Sequence, residues 1–170
     1  MTTINTQVAS FDAVRSSEVY RIKEREELSM KSRTSLRALC VEDDDDTRVM
    51  LGMQLESLGL EVNLAATADE ALRWSETKDF DIYLLDSWLP DLDGYELCRQ
   101  VRQRVPSPTG ILFFSGAAHE LDKQKGIEAG ARAYVCKPNV DELLNTLSTL
   151  IAEATAVGPE ATARLAHLPG

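Results

Sequence analysis

The sequence predicts an α/β fold, a parallel sheet with helices on both faces, and three observations carry that prediction. Strand-like apolar runs of four to six residues alternate with helical apolar periodicity five times between Leu36 and Glu153. Each interval between runs is long enough for a crossover helix, which parallel pairing requires. The composition, 44% hydrophobic and 27% charged over 170 residues, is that of a chain that buries one core.

The first run, Leu36 to Val41, meets Glu42-Asp43-Asp44-Asp45-Asp46; Leu51, Leu55 and Leu58 then repeat at helical spacing until Gly59 ends the helix. Leu60 to Ala65 is the second strand, and Thr67 caps a helix carrying Ala71, Leu72 and Trp74. Phe80 to Leu85 is the third strand and ends at Asp86. After a loop with Pro90 and Gly94, Tyr95 to Arg104 forms the third helix. Ile111 to Phe114, Ala118 to Ala129, Ala133 to Cys136 and Val140 to Glu153 supply the last two strand and helix pairs. Right-handed crossovers place the helices on the two faces. The result is a flavodoxin-like (βα)5 doubly wound parallel five-stranded sheet of order 2-1-3-4-5, with its site at the carboxyl ends of the strands.

Charge narrows the function. Acidic side chains number 28 against 18 basic ones, a formal charge of -10. Nucleic acid and anionic membranes, which need a basic surface, are therefore not expected as direct partners. No run approaches the roughly 18 apolar residues of a membrane span, and Cys40, Cys98 and Cys136 lack CxxC spacing, so a cytoplasmic setting is expected. Residues 1 to 35 read as a thin-faced, partly helical or mobile extension. Met30 stands just before the first strand, which leaves open whether translation starts there. Residues 154 to 170 read as a short tail.

The strand ends gather the chemistry. Glu42 and Asp43 follow strand one, Asp86 follows strand three, Ser115 strand four, and Lys137-Pro138 strand five. Three converging carboxylates repel, and a divalent cation offsets that repulsion. An all-oxygen set suits Mg²⁺, with Mn²⁺ as the alternative. Lys137 and Ser115 supply a positive charge and a hydroxyl suited to a phosphoryl oxygen beside the metal. Asp86 is then the nucleophile, and its attack on phosphorus gives an acyl phosphate.

The segments VEDDDDTRVMLGMQLESLGLEV, DIYLLDSWLPDLDGYELCRQVR, ILFFSG and GARAYVCKP resemble the receiver domain of bacterial response regulators, over residues 36 to 153. The resemblance implies that Asp86 is the phosphoacceptor, that Asp43 ligates Mg²⁺ directly and Glu42 through water, and that Trp88 adds its backbone carbonyl. It implies that Ser115 moves towards the phosphoryl group, that Lys137 pairs with it, and that the peptide before Pro138 is cis. Tyr134 matches the aromatic residue that turns inward when Ser115 moves. The implied partners are a sensor histidine kinase or histidine phosphotransfer protein and a downstream target protein, with a homodimer left open. Stand-alone status is expected, with the phosphorylated surface acting on a target or passing the group on in a relay.

Two positions depart from what fast hydrolysis needs. Trp88, two beyond the phosphoacceptor, is bulky, and Ala117, two beyond Ser115, has no group to orient attacking water. Slow loss of the phosphoryl group is expected. An enzyme acting on free phosphate esters is disfavoured because Trp88 stands where a haloacid-dehalogenase-type phosphatase has its acid. A phosphorylation-independent scaffold would be marked by lost site residues, and none is lost. Asp44, Asp45 and Asp46 suit a helix N-terminus, and Asp91 and Asp93 read as loop and cap residues.

Overall fold

The structure is a computed structural model and describes residues 35–105 and 109–156. The extension before residue 35 and most of the tail lie outside the described residues. The element order is β1 (Arg37–Val41), α1 (Asp45–Ser57), β2 (Glu61–Ala65), α2 (Ala68–Thr77), β3 (Ile82–Leu85), α3 (Gly94–Arg104), β4 (Gly110–Ser115), α4 (Glu120–Glu128), β5 (Ala133–Cys136) and α5 (Val140–Ala156). The strands form one parallel sheet in the order β2-β1-β3-β4-β5, as the sequence predicts.

Strand alternation builds two cores. Leu39, Val41, Tyr83, Leu85, Ile111 and Phe113 point to one face, where Ala71, Leu97, Cys98 and Val101 from α2 and α3 cover them. Their neighbours Ala38, Cys40, Ile82, Leu84, Leu112 and Phe114 point to the other, under Leu51 and Leu55 of α1 and Leu143 and Leu147 of α5. Every residue of β3 and β4 is buried. Helices on both faces produce that continuous apolar run.

The ends of several elements differ from the sequence reading by a few residues, for local reasons. Phe80 is buried but lies before β3, set edge-on to Tyr83 with ring centroids 5.6 Å apart. Its apolarity fills the core without joining the ladder. Leu60 is likewise buried yet stays in the turn, its N–H donating to the Leu55 carbonyl. Helix α4 begins at Glu120 rather than Ala118, with His119 in the capping position and making no side-chain cap bond. Cys136 is half-exposed at the end of β5, an edge strand.

Caps hold the helices that present the site. Asp44 accepts from the Thr47 N–H at 2.8 Å, and Asp93 from the Tyr95 N–H at 2.7 Å. Asp91 reaches back across the sheet edge to take the Ala68 and Asp69 N–H groups at 3.0 and 2.9 Å, capping α2 from the loop after β3. The two aspartates are thus loop and cap residues. Gly59, at φ +83°, supplies the left-handed turn that closes α1.

Candidate functional site

The parallel order brings four strand ends to one edge of the sheet. Asp86 follows β3, and its N–H donates to the Val41 carbonyl at 2.9 Å. Glu42 follows β1 and is tied to β2 through the Ala65 carbonyl at 3.1 Å. Ser115 ends β4, and its carbonyl accepts from the Lys137 N–H at 2.9 Å. The Lys137–Pro138 peptide is cis.

Glu42 and Asp86 are buried, whereas Asp43 is exposed at the mouth. One carboxylate oxygen from each of the three lies within 4.8 Å of the others. Oxygens on opposite sides of an octahedral Mg²⁺ stand about 4.2 Å apart, so the set fits a small hard cation. Lys137 Nζ reaches Glu42 Oε2 and Asp86 Oδ2, each at 2.7 Å. Three carboxylates with one ammonium leave two formal negative charges, the complement of a divalent ion.

Burial pushes the Glu42 carboxyl above its ordinary range, and the bond from Lys137 offsets this only in part. Burial also works against the Lys137 ammonium. The hydrogen bonds it donates to Asp86 and Glu42 outweigh this and hold that group above its usual value. The lysine stays charged, a half-buried cation clamped between two buried anions.

Local packing fixes the loops. Arg48, on α1, folds back so that Nη1 donates to the carbonyls of Glu42 at 2.8 Å and Asp43 at 3.1 Å, while its other nitrogen pairs with Asp45. The loop after β3 turns on Gly94, where an added Cβ would lie 2.1 Å from the Asp86 carbonyl oxygen and 2.7 Å from Ser87 Cα. Only glycine admits that approach. The backbone N–H of Trp88 donates to Asp86 Oδ1 at 3.2 Å, and the residue is 74% exposed at the rim.

Ser115 is fully buried, and its hydroxyl is hydrogen-bonded to that of Ser87, while the Ala117 N–H donates to Ser115 Oγ at 3.3 Å. Tyr134 stacks on Phe113, ring centroids 5.5 Å apart, and its hydroxyl donates to the Ala117 carbonyl at 2.8 Å. Gly126 on α4 makes room for that ring, since a Cβ there would meet Tyr134 Cδ2 at 2.8 Å. Every site residue named from the sequence therefore lies at this edge.

Two contributors are not in the sequence reading. Ser87 is a polar residue buried directly after the central acidic group, and that polarity at the end of an apolar strand is the signal that marks it. Tyr95 lies in the first turn of α3, its hydroxyl 3.5 Å from that of Tyr134. Arg48 of α1 turns back to the loop after β1, an orientation that sequence alone does not give.

Such a cleft, with clustered carboxylates and a lysine clamped between two of them at the carboxyl edge of a five-stranded parallel sheet, defines a receiver-type module. The model of the response regulator receiver domain matches residues 38–148, and the chain belongs to that family. It is 39% identical over 103 residues to the alkaline phosphatase synthesis transcriptional regulatory protein PhoP of Bacillus subtilis, a match covering 60% of this chain and 42% of PhoP. The chain spans about two fifths to half the length of the curated relatives it matches. Among solved structures, a CheY-like receiver domain protein from Methanospirillum hungatei superposes with a TM-score of 0.68 at 32% identity, covering 74% of this chain and all (100%) of that one. The receiver domain of a sensor histidine kinase from Pseudomonas aeruginosa, solved with magnesium coordinated in its active site cleft, gives a TM-score of 0.63 at 30% identity, covering 70% of this chain and 99% of that one. Receiver domains bind Mg²⁺ at an acidic pocket, and response regulators interact with histidine kinases and downstream targets. Among the described residues no helix is long and apolar enough to cross a membrane.

Proposed function

We propose that this chain is a response regulator receiver that accepts a phosphoryl group on Asp86 from a phosphohistidine donor, and that Asp43, Asp86, the Trp88 carbonyl and, through water, Glu42 would hold Mg²⁺. The observation that carries this reading is the convergence of Asp86, Glu42 and Asp43 around Lys137, whose ammonium sits 2.7 Å from two of the three carboxylates. An Asp86 oxygen attacks phosphorus as the phosphorus–nitrogen bond to the donor imidazole breaks, and the imidazole leaves with the bonding pair. The product is an acyl phosphate. The bound cation offsets charge on the transferring group's oxygens. Lys137 exchanges a carboxylate partner for a phosphoryl oxygen, and Ser115 donates its hydroxyl to another.

Neither Trp88 nor Ala117 offers a side-chain group to orient attacking water, so the acyl phosphate is long-lived. The module is not an enzyme for free substrates; it signals through Tyr134 and the surface of α4, β5 and α5, acting in the cytoplasm on a partner protein. Peptide mapping after treatment with acetyl phosphate and Mg²⁺ tests the chemistry. A hydroxylamine-labile adduct on the peptide containing Asp86 is expected; a hydroxylamine-stable adduct, or one on a serine, contradicts it.

A further inference from the structure

One side chain ties the loop between β3 and α3 to a helix elsewhere in the fold. At the base of the loop the Gly94 N–H donates to the Ser87 carbonyl at 3.0 Å. Leu89 and Leu92 are partly buried against the core under α2 and α3. Asp91 lies between them and is exposed, yet both of its oxygens are taken. Oδ1 accepts from the Ala68 N–H at 3.0 Å and Oδ2 from the Asp69 N–H at 2.9 Å. Those donors stand 23 and 22 residues upstream, in the first turn of α2.

Helix α2 has its own start signal without Asp91. The Thr67 hydroxyl accepts from the Glu70 N–H at 3.2 Å, and Glu70 Oε2 accepts from the Ala66 N–H at 2.9 Å, a reciprocal capping pair. A helix N-terminus leaves further N–H groups for other partners, and a carboxylate from the loop takes two of them. Burial works to raise the Asp91 carboxyl, but its bonds from backbone N–H groups, those of Asp69 and Ala68 foremost, outweigh this and hold it below its ordinary range. The link is therefore charge-assisted.

We propose that Asp91 is a positioning residue of the metal site, latching the loop that carries the Trp88 carbonyl to the first turn of α2. The proposal rests on the phosphoacceptor reading above, which assigns that carbonyl to Mg²⁺, and extends it to a residue which that reading leaves as a helix cap. Trp88 stands between two anchors, the bond from Gly94 to Ser87 and the Asp91 latch. Leu89 and Leu92 hold the loop down by apolar contact, which is non-directional; the two bonds to Asp91 fix its heading. Without the carboxylate the loop samples other arrangements, and a cation that needs the Trp88 carbonyl binds only the fraction that presents it. The contribution of a capping side chain changes such a population roughly three- to tenfold.

The test uses the full chain, in wild type and in Asp91→Ala, Asp91→Asn and Glu70→Ala. Mg²⁺ alone is the probe, titrated into metal-free protein and followed by the backbone N–H resonances of Asp43 and Trp88. Asp91→Ala is expected to raise the dissociation constant roughly three- to tenfold, with Asp91→Asn, which keeps one acceptor oxygen, in between. Glu70→Ala removes a carboxylate and a cap bond at the same helix end without touching the latch, and should leave the constant unchanged. Before any metal is added, hydrogen exchange of the Trp88 N–H, which donates to Asp86, should be faster in Asp91→Ala and unaltered in Glu70→Ala. Mg²⁺ affinity and Trp88 exchange that are indifferent to both Asp91 substitutions, or an equal loss in Glu70→Ala, overturn the proposal. Failure of the wild-type chain to bind Mg²⁺ would instead overturn the phosphoacceptor reading, and the metal-free exchange would still decide whether Asp91 holds the loop.

Discussion

Replacing Lys137 by methionine keeps the length of the side-chain stem and removes the one cation bonded to both Glu42 and Asp86. Those carboxylates are 2% and 8% exposed at the side chain, and each lies 2.7 Å from Nζ. Removing one partner of a buried ion pair costs about 3–5 kcal/mol. Lys137 itself is 23% exposed, so water recovers part of this and about 2–4 kcal/mol is the expected loss at neutral pH. In a urea titration with a slope of about 2 kcal/mol/M, that loss lowers the midpoint by roughly 1–2 M. Mg²⁺ should then stabilise the variant more than the wild type, because the lysine no longer competes for the same oxygens. Mass action gives about 2.7 kcal/mol at a hundredfold excess over the dissociation constant. The assay is urea unfolding of both proteins, with EDTA and with saturating Mg²⁺. A midpoint drop below about 0.3 M, or equal Mg²⁺ stabilisation of the two proteins, would refute the picture of one lysine holding two buried carboxylates in the cation's place.

Three other outcomes follow from the same geometry. Gly94→Ala places a methyl against the Asp86 carbonyl and Ser87 Cα; backbone must shift, and a loss of about 1–3 kcal/mol is expected in the same unfolding assay, with slower phosphorylation. The stability that Lys137 contributes is whole below its unfolded value of 10.5 and is lost as pH rises through its higher folded value. The gap between wild type and Lys137→Met should therefore be level from about pH 7 to 10 and shrink above 10.5. Trp88→Asn combined with Ala117→Glu should speed loss of the phosphoryl group from Asp86 by tenfold or more, followed by intact mass, since both changes offer groups that orient water; an unchanged rate would exonerate these two positions.

What the sequence made legible has a physical basis. In a parallel α/β sheet every strand delivers its carboxyl end to the same edge, so the residues after four apolar runs, Glu42-Asp43, Asp86, Ser115 and Lys137, meet without any knowledge of side-chain paths. The caps Thr67 and Asp93 are equally local, acting within three residues of themselves. Contacts that depend on side-chain direction across elements were not legible. Arg48 could point to solvent or back to the Glu42 carbonyl, and only packing decides. Asp91 is readable as a cap residue, but that it caps α2, 22 residues upstream, depends on the loop's trajectory. Ser87, Tyr95 and Tyr134 come from three elements, and their contacts depend on the close approach that Gly94 and Gly126 permit. Helix and strand ends moved where an apolar residue such as Phe80 or Leu60 belongs to the core without belonging to the ladder.

The central claim is that Asp86 takes a phosphoryl group in a metal-dependent reaction. The most direct measurement is the intact mass of the purified chain after incubation with acetyl phosphate, with Mg²⁺ or with EDTA, beside Asp86→Asn. One phosphoryl adduct that requires Mg²⁺ and is absent from Asp86→Asn is the predicted result. An unmodified chain under conditions that modify a control receiver, or an adduct that persists in Asp86→Asn, would contradict the account.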